Sequence, residues 1–488
     1  MLRRFLADQS GNFAILTALM AVPLILAVGF GVDAARYYSA QAKLQNATDM
    51  AALALAASTE QDSQTLAKLA TSYLLANMSN TNVDHIAVKV TTATPEEIEL
   101  AASGTMPLTF MQLARLSSMT LGTETKAMRS PVRNVELALV LDNTWSMSET
   151  DAGGVTKINT LKQAARELVN ALITDEDSPV RIGLVPYADY VNVGTQYRNA
   201  SWLDVGSDYS VVPAERKCVI LSTKRSCPVD KNPTYSCTRY VDGVAETGSC
   251  GGGCPVAEVD KTVTPYESCS GGGNPTYYKW YGCIGSRKTG TSRLNDLSPG
   301  IRYPGYLETS QKCLNPIVTL TKDRAALVKA IDGMVINVGG YKPYTYIPAG
   351  MIWGQNVLSP PEPLTDAADY DDENVDPRKV LILMTDGDNT LRFNSGDGRH
   401  ISLSSNASTA TTQVNQTNSD TLSICSYAKS KKIEIFTVAF MVDNTVAKSM
   451  LETCASDAKH YFDASNSSKL LSAFSGIARA INQVRLAR

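Results

Sequence analysis

Histidine is nearly missing from this 488-residue chain: there are 3, His85, His400 and His460, and none stands in His-Glu-x-x-His spacing. That excludes the zinc-protease helix. No Gly-x-x-x-x-Gly-Lys-Ser/Thr loop and no Gly-x-Ser-x-Gly elbow occurs, which removes nucleotide-cradling and serine-hydrolase readings. There is no long basic run, and 45 Lys and Arg against 48 Asp and Glu leave a net charge of −3. A phosphate-tracking surface needs more positive charge than that, so no nucleic acid is expected as partner. Cys-x-x-Cys is also absent.

Cysteine itself is plentiful and clustered. Cys218, Cys227, Cys237, Cys250, Cys254, Cys269, Cys283 and Cys313 lie in a stretch rich in Gly, Ser, Tyr and Pro that holds no His. Such a stretch buries little apolar surface and needs covalent staples, which persist in an oxidising compartment. Zinc is disfavoured by the missing His and Cys-x-x-Cys, so a disulfide-rich insertion over about residues 195–315 is expected, with its connectivity open. Cys425, on a helical pattern, and Cys454, after the next one, are left to bridge across the strand Ile433 to Phe440. Tyr277, Tyr278, Trp280 and Tyr281 form either the insertion's own small core or a contact surface.

At the other end, Phe13 to Val32 carries no charge. About 20 apolar residues span a bilayer as helix, and Arg3 and Arg4 ahead of them favour a cytoplasmic tail over residues 1–12. A cleaved signal has a shorter apolar region. Here Leu44, Ala47, Ala51 and Ala54 continue the helical spacing, so a helix over 33–60 is expected to leave the membrane and lead into a small α+β module at 61–133.

Beyond it, strands and helices alternate: strand 135–142, helix Lys157 to Thr174, strand Val180 to Tyr187, helix Lys322 to Met334, a helix from about Pro348, strands at 379 and 433, and a closing helix Ser468 to Arg485. This predicts an α/β domain over 134–488 with a mainly parallel, Rossmann-like sheet. The first strand ends in Asp142-Asn143-Thr144-Trp145-Ser146, the strand at 379 ends in Thr385-Asp386-Gly387, and Thr345 precedes a helix start. Two carboxylates and three hydroxyls from three loops suit a small hard cation, and strand carboxyl ends are where open sheets bind ligands. An acidic loop at Asp369, Asp371, Asp372, Glu373 and Asp376 lacks calcium-loop spacing and reads as solvated. Asp388 is open between supporting the cation and capping a turn. A bound cation can activate water, but no general base stands near it in sequence, so a binding module rather than an enzyme is expected.

The order Asp-x-Thr-x-Ser, Thr, Thr-Asp-Gly resembles the von Willebrand factor A domain. The resemblance implies a metal-dependent adhesion site for Mg²⁺, with Mn²⁺ or Ca²⁺ as alternatives. Thr144, Ser146 and Thr345 would be ligands, Asp142 and Asp386 would hold the ion largely through water, and a protein partner's carboxylate would complete its shell. Thr144 stands where Ser is commoner, and Trp145 where Gly is usual; the ring either narrows the site or offers an aromatic contact. Ser10-Gly11-Asn12-Phe13-Ala14-Ile15, Val32-Asp33 and Gln41 to Ala54 resemble the start of tight-adherence (Tad/Flp) pilus assembly proteins of the TadG-like group. Prepilin processing there uses a Glu at the fifth position after the glycine, and this chain has none. Together the resemblances imply an inner-membrane, single-pass protein facing the periplasm or cell surface, with pilus assembly components as partners. The alternative is a structural anchor or minor pilus component whose insertion makes the contacts and whose metal site is silent.

Overall fold

The computed structural model describes residues 12–484 apart from 57, 59, 61, 80, 95–96, 129–133, 289 and 298–299. The expected tail over 1–12 lies outside it but for Asn12. The chain divides into two compact units, Met1–Val132 with Gln483–Arg488, and Arg133–Asn482.

In the first unit α1 (Asn12–Ala56) is one continuous helix that includes Pro23. It is the one helix among the described residues long and apolar enough to cross a membrane. Its character changes along its length. Leu19, Leu24, Val28 and Phe30 are exposed, whereas Leu44, Ala47, Ala51 and Leu55 are buried. The buried face packs with α2 (Ser63–Met78) onto the antiparallel sheet β1 (Asp84–Ala93), β2 (Glu97–Pro107) and β3 (Ser118–Met128). Asp33 marks the change: its carboxylate accepts the backbone N–H groups of Thr109, Phe110 and Met111 at 3.1, 2.8 and 2.9 Å. Those are donors at the start of a short 3₁₀ turn that would otherwise go unpaired.

The second unit is built on five parallel strands. They are β4 (Val135–Asp142), β5 (Val180–Tyr187), β6 (Arg378–Thr385), β7 (Glu434–Phe440) and β8 (Tyr461–Ala464), in the spatial order β8-β7-β6-β4-β5. Side chains alternate across the sheet. Leu137, Leu139, Val380 and Ile382 face α3 (Lys157–Leu172), α4 (Arg324–Asp332) and α8 (Ser467–Val484); Ala138, Val140, Leu381 and Leu383 face α5 (Ile347–Leu358), α6 (Ala407–Ser430) and α7 (Thr445–Cys454). Both faces are covered, which is why β4 and β6 read as unbroken apolar runs. The helix α5 lies close on the sheet because glycine faces it: a Cβ on Gly354 would sit 2.4 Å from Val140 Cγ2, and one on Gly350 2.6 Å from the Tyr187 ring. Near the foot of the sheet the buried Lys379 ammonium pairs with Glu136 at 2.6 Å.

The fold is therefore α/β, with an N-terminal apolar helix and a mainly parallel sheet interrupted by a disulfide-rich insertion. Four bridges staple that insertion: Cys218–Cys269, Cys227–Cys254, Cys237–Cys250 and Cys283–Cys313. Cys425–Cys454 joins α6 to α7. The aromatics divide: Trp280 is buried in the core, Tyr278 stacks on Tyr209 at 4.6 Å, and Tyr277 is exposed. Within the insertion a hairpin, Thr234–Val241 and Val244–Gly251, pairs residue for residue without a bulge. It turns at Asp242 and Gly243, both with positive φ (49° and 81°), the two-residue turn that Asp-Gly favours.

Candidate metal centre

Strand β4 delivers Asp142 to the carboxyl edge of the sheet, where it is wholly buried. One oxygen accepts the Thr144 N–H at 2.9 Å; the other accepts the Thr385 hydroxyl at 2.7 Å. The chain then turns, so that the Thr144 and Ser146 hydroxyls lie 2.9 Å apart. Ser146 donates to Asp386 Oδ1 at 2.7 Å, tying the β4 loop to the β6 loop. Thr345 arrives from the third loop, ahead of α5, whose first N–H is held by Asn389 Oδ1 at 2.8 Å. All five residues singled out in the sequence come together here. Ser146, Thr345 and Asp386 line a cavity of about 280 Å³ that also touches Glu149, Lys157, Asp242, Asp388 and Thr390.

Electrostatics make this edge unusual. Burial, then the charge of Asp386, raises the Asp142 pKa above the ordinary carboxylate value. Burial also raises Asp386, against the opposing pull of Lys157. The Lys157 ammonium donates to Asp386 Oδ2 at 3.0 Å and to Glu149 at 2.7 Å. Burial pulls the Lys157 pKa down, but Asp386 and Glu149 more than offset this, so it is raised and the amine stays charged. Asp388 is raised by burial and accepts from Asn444 on the cavity wall.

Two of these groups carry little signal in the sequence. Lys157 reads there only as the start of a helix. Asp242, from the insertion hairpin, bears no mark of a site residue, although Asp-Gly signals its turn. Asp142, Asp386 and Asp242 are thus three buried carboxylates with one buried ammonium, Lys157, among them. The surplus of about two negative charges, set among hydroxyls with no cysteine or histidine among the described residues of the cavity wall, suits a hard divalent cation. Ser146 and Thr345 offer hydroxyl oxygens and Asp386 a carboxylate at the cavity wall, and Thr144 and Asp142 join them through the Thr144–Ser146 hydroxyl contact and the Thr144 N–H bond to Asp142. The Trp145 ring lies under Lys342 at 4.2 Å, and Lys342 pairs with Glu246 of the hairpin at 2.5 Å.

Comparison with known proteins gives a match for part of the chain. Residues 11–59 match the family model described as putative Flp pilus-assembly TadE/G-like. No curated protein matches the chain. Among solved structures, it is similar to the pilus adhesin SpaC of Lactobacillus rhamnosus GG (11% identity, 83% of this chain and 35% of that one, TM-score 0.34). It is similar also to the vWF domain of the type V pili tip protein Mfa5 from Porphyromonas gingivalis (12%, 72% and 96%, TM-score 0.35). A third is proximal thread matrix protein 1 from the mussel byssus with a zinc-occupied MIDAS motif (12%, 71% and 47%, TM-score 0.30). The chain thus spans about a third of the SpaC adhesin's length.

Proposed function

We propose that this is a membrane-anchored component of Tad-type pilus assembly or surface attachment, whose second unit is a von Willebrand A-like domain that binds a protein partner through a divalent cation, most simply Mg²⁺. The observation that carries the reading is the convergence of Asp142, Thr144, Ser146, Thr345 and Asp386 from three separate loops on one edge of a parallel sheet. The cation would supply a Lewis-acidic point that a partner's carboxylate can reach. The chain's residues would orient it: hydroxyls in contact, buried aspartates behind. The domain would extend over 134–488. Residues 13–32 would cross the inner membrane once, with 33–60 as a pilin-like helix, 61–133 as a membrane-proximal module and the rest in the periplasm or at the surface. The match of residues 11–59 to a pilus-assembly family and the exposed apolar face of α1 support that placement. A non-enzymatic role follows from the same reading.

One observation favours the alternative of a silent site in a structural anchor: the Lys157 ammonium already neutralises Asp386. Calorimetric titration of Mg²⁺ into the detergent-solubilised full chain, beside Asp142→Ala, separates them. Saturable binding lost in the variant supports the cation site. If Asp142→Ala leaves piliation intact in cells while deletion of the Cys-rich insertion abolishes it, the structural reading takes its place.

A further inference from the structure

Asp242 belongs to no core element, yet it is among the most firmly held side chains of the cavity. Its carboxylate accepts the Ser146 N–H at 3.1 Å, the Thr345 N–H at 3.1 Å, the Thr345 hydroxyl at 3.0 Å and the Thr390 hydroxyl at 2.9 Å. Two of those partners, Ser146 and Thr345, are the residues whose hydroxyls would hold the cation. Asp242 is 4% exposed, while Tyr235 and Tyr240 on the same hairpin are 61% and 70% exposed. An exposed arm has thus placed one carboxylate inside the core's cavity.

We propose that Asp242 is a tethered ligand of this cavity: the hairpin tip occupies the place of an incoming partner's carboxylate, and a partner engages by displacing it. This rests on the reading of the cavity as a cation site. The hairpin has the mechanics of such a strap. Its eight residue pairs run in unbroken register and Cys237–Cys250 pins them, so it moves as one piece. At its base Gly251, Gly252 and Gly253 all have φ between 75° and 79°, a backbone free to absorb a change of direction. A clamp outside the cavity, Glu246 to Lys342 over the Trp145 ring, holds the docked position. The class of partner follows: a protein segment that brings its own carboxylate on a narrow turn, since the space it must enter fits a two-residue hairpin tip.

The test uses the full chain in detergent micelles with Mn²⁺ alone as probe. Water-proton relaxation reports how many waters the bound ion keeps, and hydrogen exchange follows the Ser146 and Thr345 amides, whose N–H groups donate to Asp242. Asp242→Asn is the variant of choice because Asn tolerates the left-handed turn conformation. The expected result is that Asp242→Asn still binds Mn²⁺, but with higher relaxation enhancement as water replaces the carboxylate. Its Ser146 and Thr345 amides should exchange about tenfold faster, the factor that one charge-assisted hydrogen bond commands. Glu246→Gln should speed exchange as well, with the enhancement little changed. Unaltered enhancement and unaltered exchange in Asp242→Asn overturn the tethered ligand while the cation site stands. Mn²⁺ binding that survives Asp142→Ala overturns the cation site itself and the tether with it.

Discussion

Replacing Asp142 by Asn should stabilise the metal-free protein and remove its response to Mg²⁺, a reversal of sign that a merely structural carboxylate does not produce. Asp142 is fully buried, and its pKa is raised by burial and by the neighbouring Asp386. A carboxyl whose folded pKa lies above its unfolded value of 3.8 stabilises the fold while protonated, below that value. The contribution is lost as pH rises through the raised pKa. At pH 8 without metal, the ionised side chain is therefore a burden. Each tenfold gain in proton affinity on folding corresponds to about 1.4 kcal/mol, and full burial typically brings a gain of about a hundredfold or more, so about 3 kcal/mol is at stake. The amide keeps an acceptor for the Thr144 N–H, and the Thr385 hydroxyl can turn to accept, which limits the loss to about 1 kcal/mol. The net gain, about 2 kcal/mol, raises the melting temperature by several degrees. With Mg²⁺ at a hundred times its Kd, the intact protein gains about 2.7 kcal/mol and the variant gains none, so their order inverts. Scanning calorimetry of both proteins in chelator and in Mg²⁺, at pH 8 and at pH 4, reads all eight values. If the variant is less stable in chelator at pH 8 by as much as at pH 4, the burial argument is wrong.

Three further outcomes follow from the same structure. Glu136→Ala strands the Lys379 ammonium, 1% exposed, and should cost about 3–5 kcal/mol in a denaturant titration; pairing the change with Lys379→Met should recover much of that. His400 is held neutral, its pKa lowered by burial to about 4 from 6.5. Its contribution is complete above pH 6.5 and is lost as pH falls towards 4, so stability of the intact protein minus that of His400→Gln should drop by about 3 kcal/mol across that window. Gly354→Ala puts a methyl 2.4 Å from Val140 Cγ2 and should destabilise by about 1–3 kcal/mol while displacing α5 and weakening Mg²⁺ binding measured calorimetrically through Thr345.

The parallel core is legible in the sequence because its strands are buried on both faces. Val135 to Asp142 and Val180 to Tyr187 form the strands expected of their apolar runs, and the helix expected over Lys157 to Thr174 ends at Leu172. Two of the three loops of the site come with the apolar strands β4 and β6, since a carboxylate at the end of an apolar run marks the carboxyl edge; the third, at Thr345, precedes the start of α5. The helix α6 is legible only as a helical pattern at Cys425: its Ser, Thr and Asn residues give little apolar periodicity to mark its bounds, and tertiary packing of Ile424, Cys425 and Ala428 supplies what propensity does not. The Cys425–Cys454 bridge is as expected, but pairing among the eight cysteines of the insertion is not legible, because connectivity depends on where the chain folds back. Asp242 escapes for the same reason: Asp-Gly announces a turn, but nothing local says that the turn docks on residues nearly a hundred positions earlier in the chain, the separation of 96 between Asp242 and Ser146. The acidic loop is partly turn chemistry, with Asp371 accepting backbone N–H groups from Glu373, Val375 and Asp376.

The order of strands also sets the order in which the chain assembles. Strand β4 lies between β5, close downstream, and β6, whose Lys379 meets Glu136 across a separation of 243 residues. The disulfides, by contrast, close loops of 13 to 51 residues. A chain emerging from its N-terminus can therefore oxidise the whole insertion before β4 gains its second neighbour. Until then one edge of β4 stays open to other chains, and an insertion left reduced delays the pairing of β4 with β6 and lengthens that exposure, so the protein made under reducing conditions should aggregate more even though the five strands β4 to β8 themselves contain no cysteine.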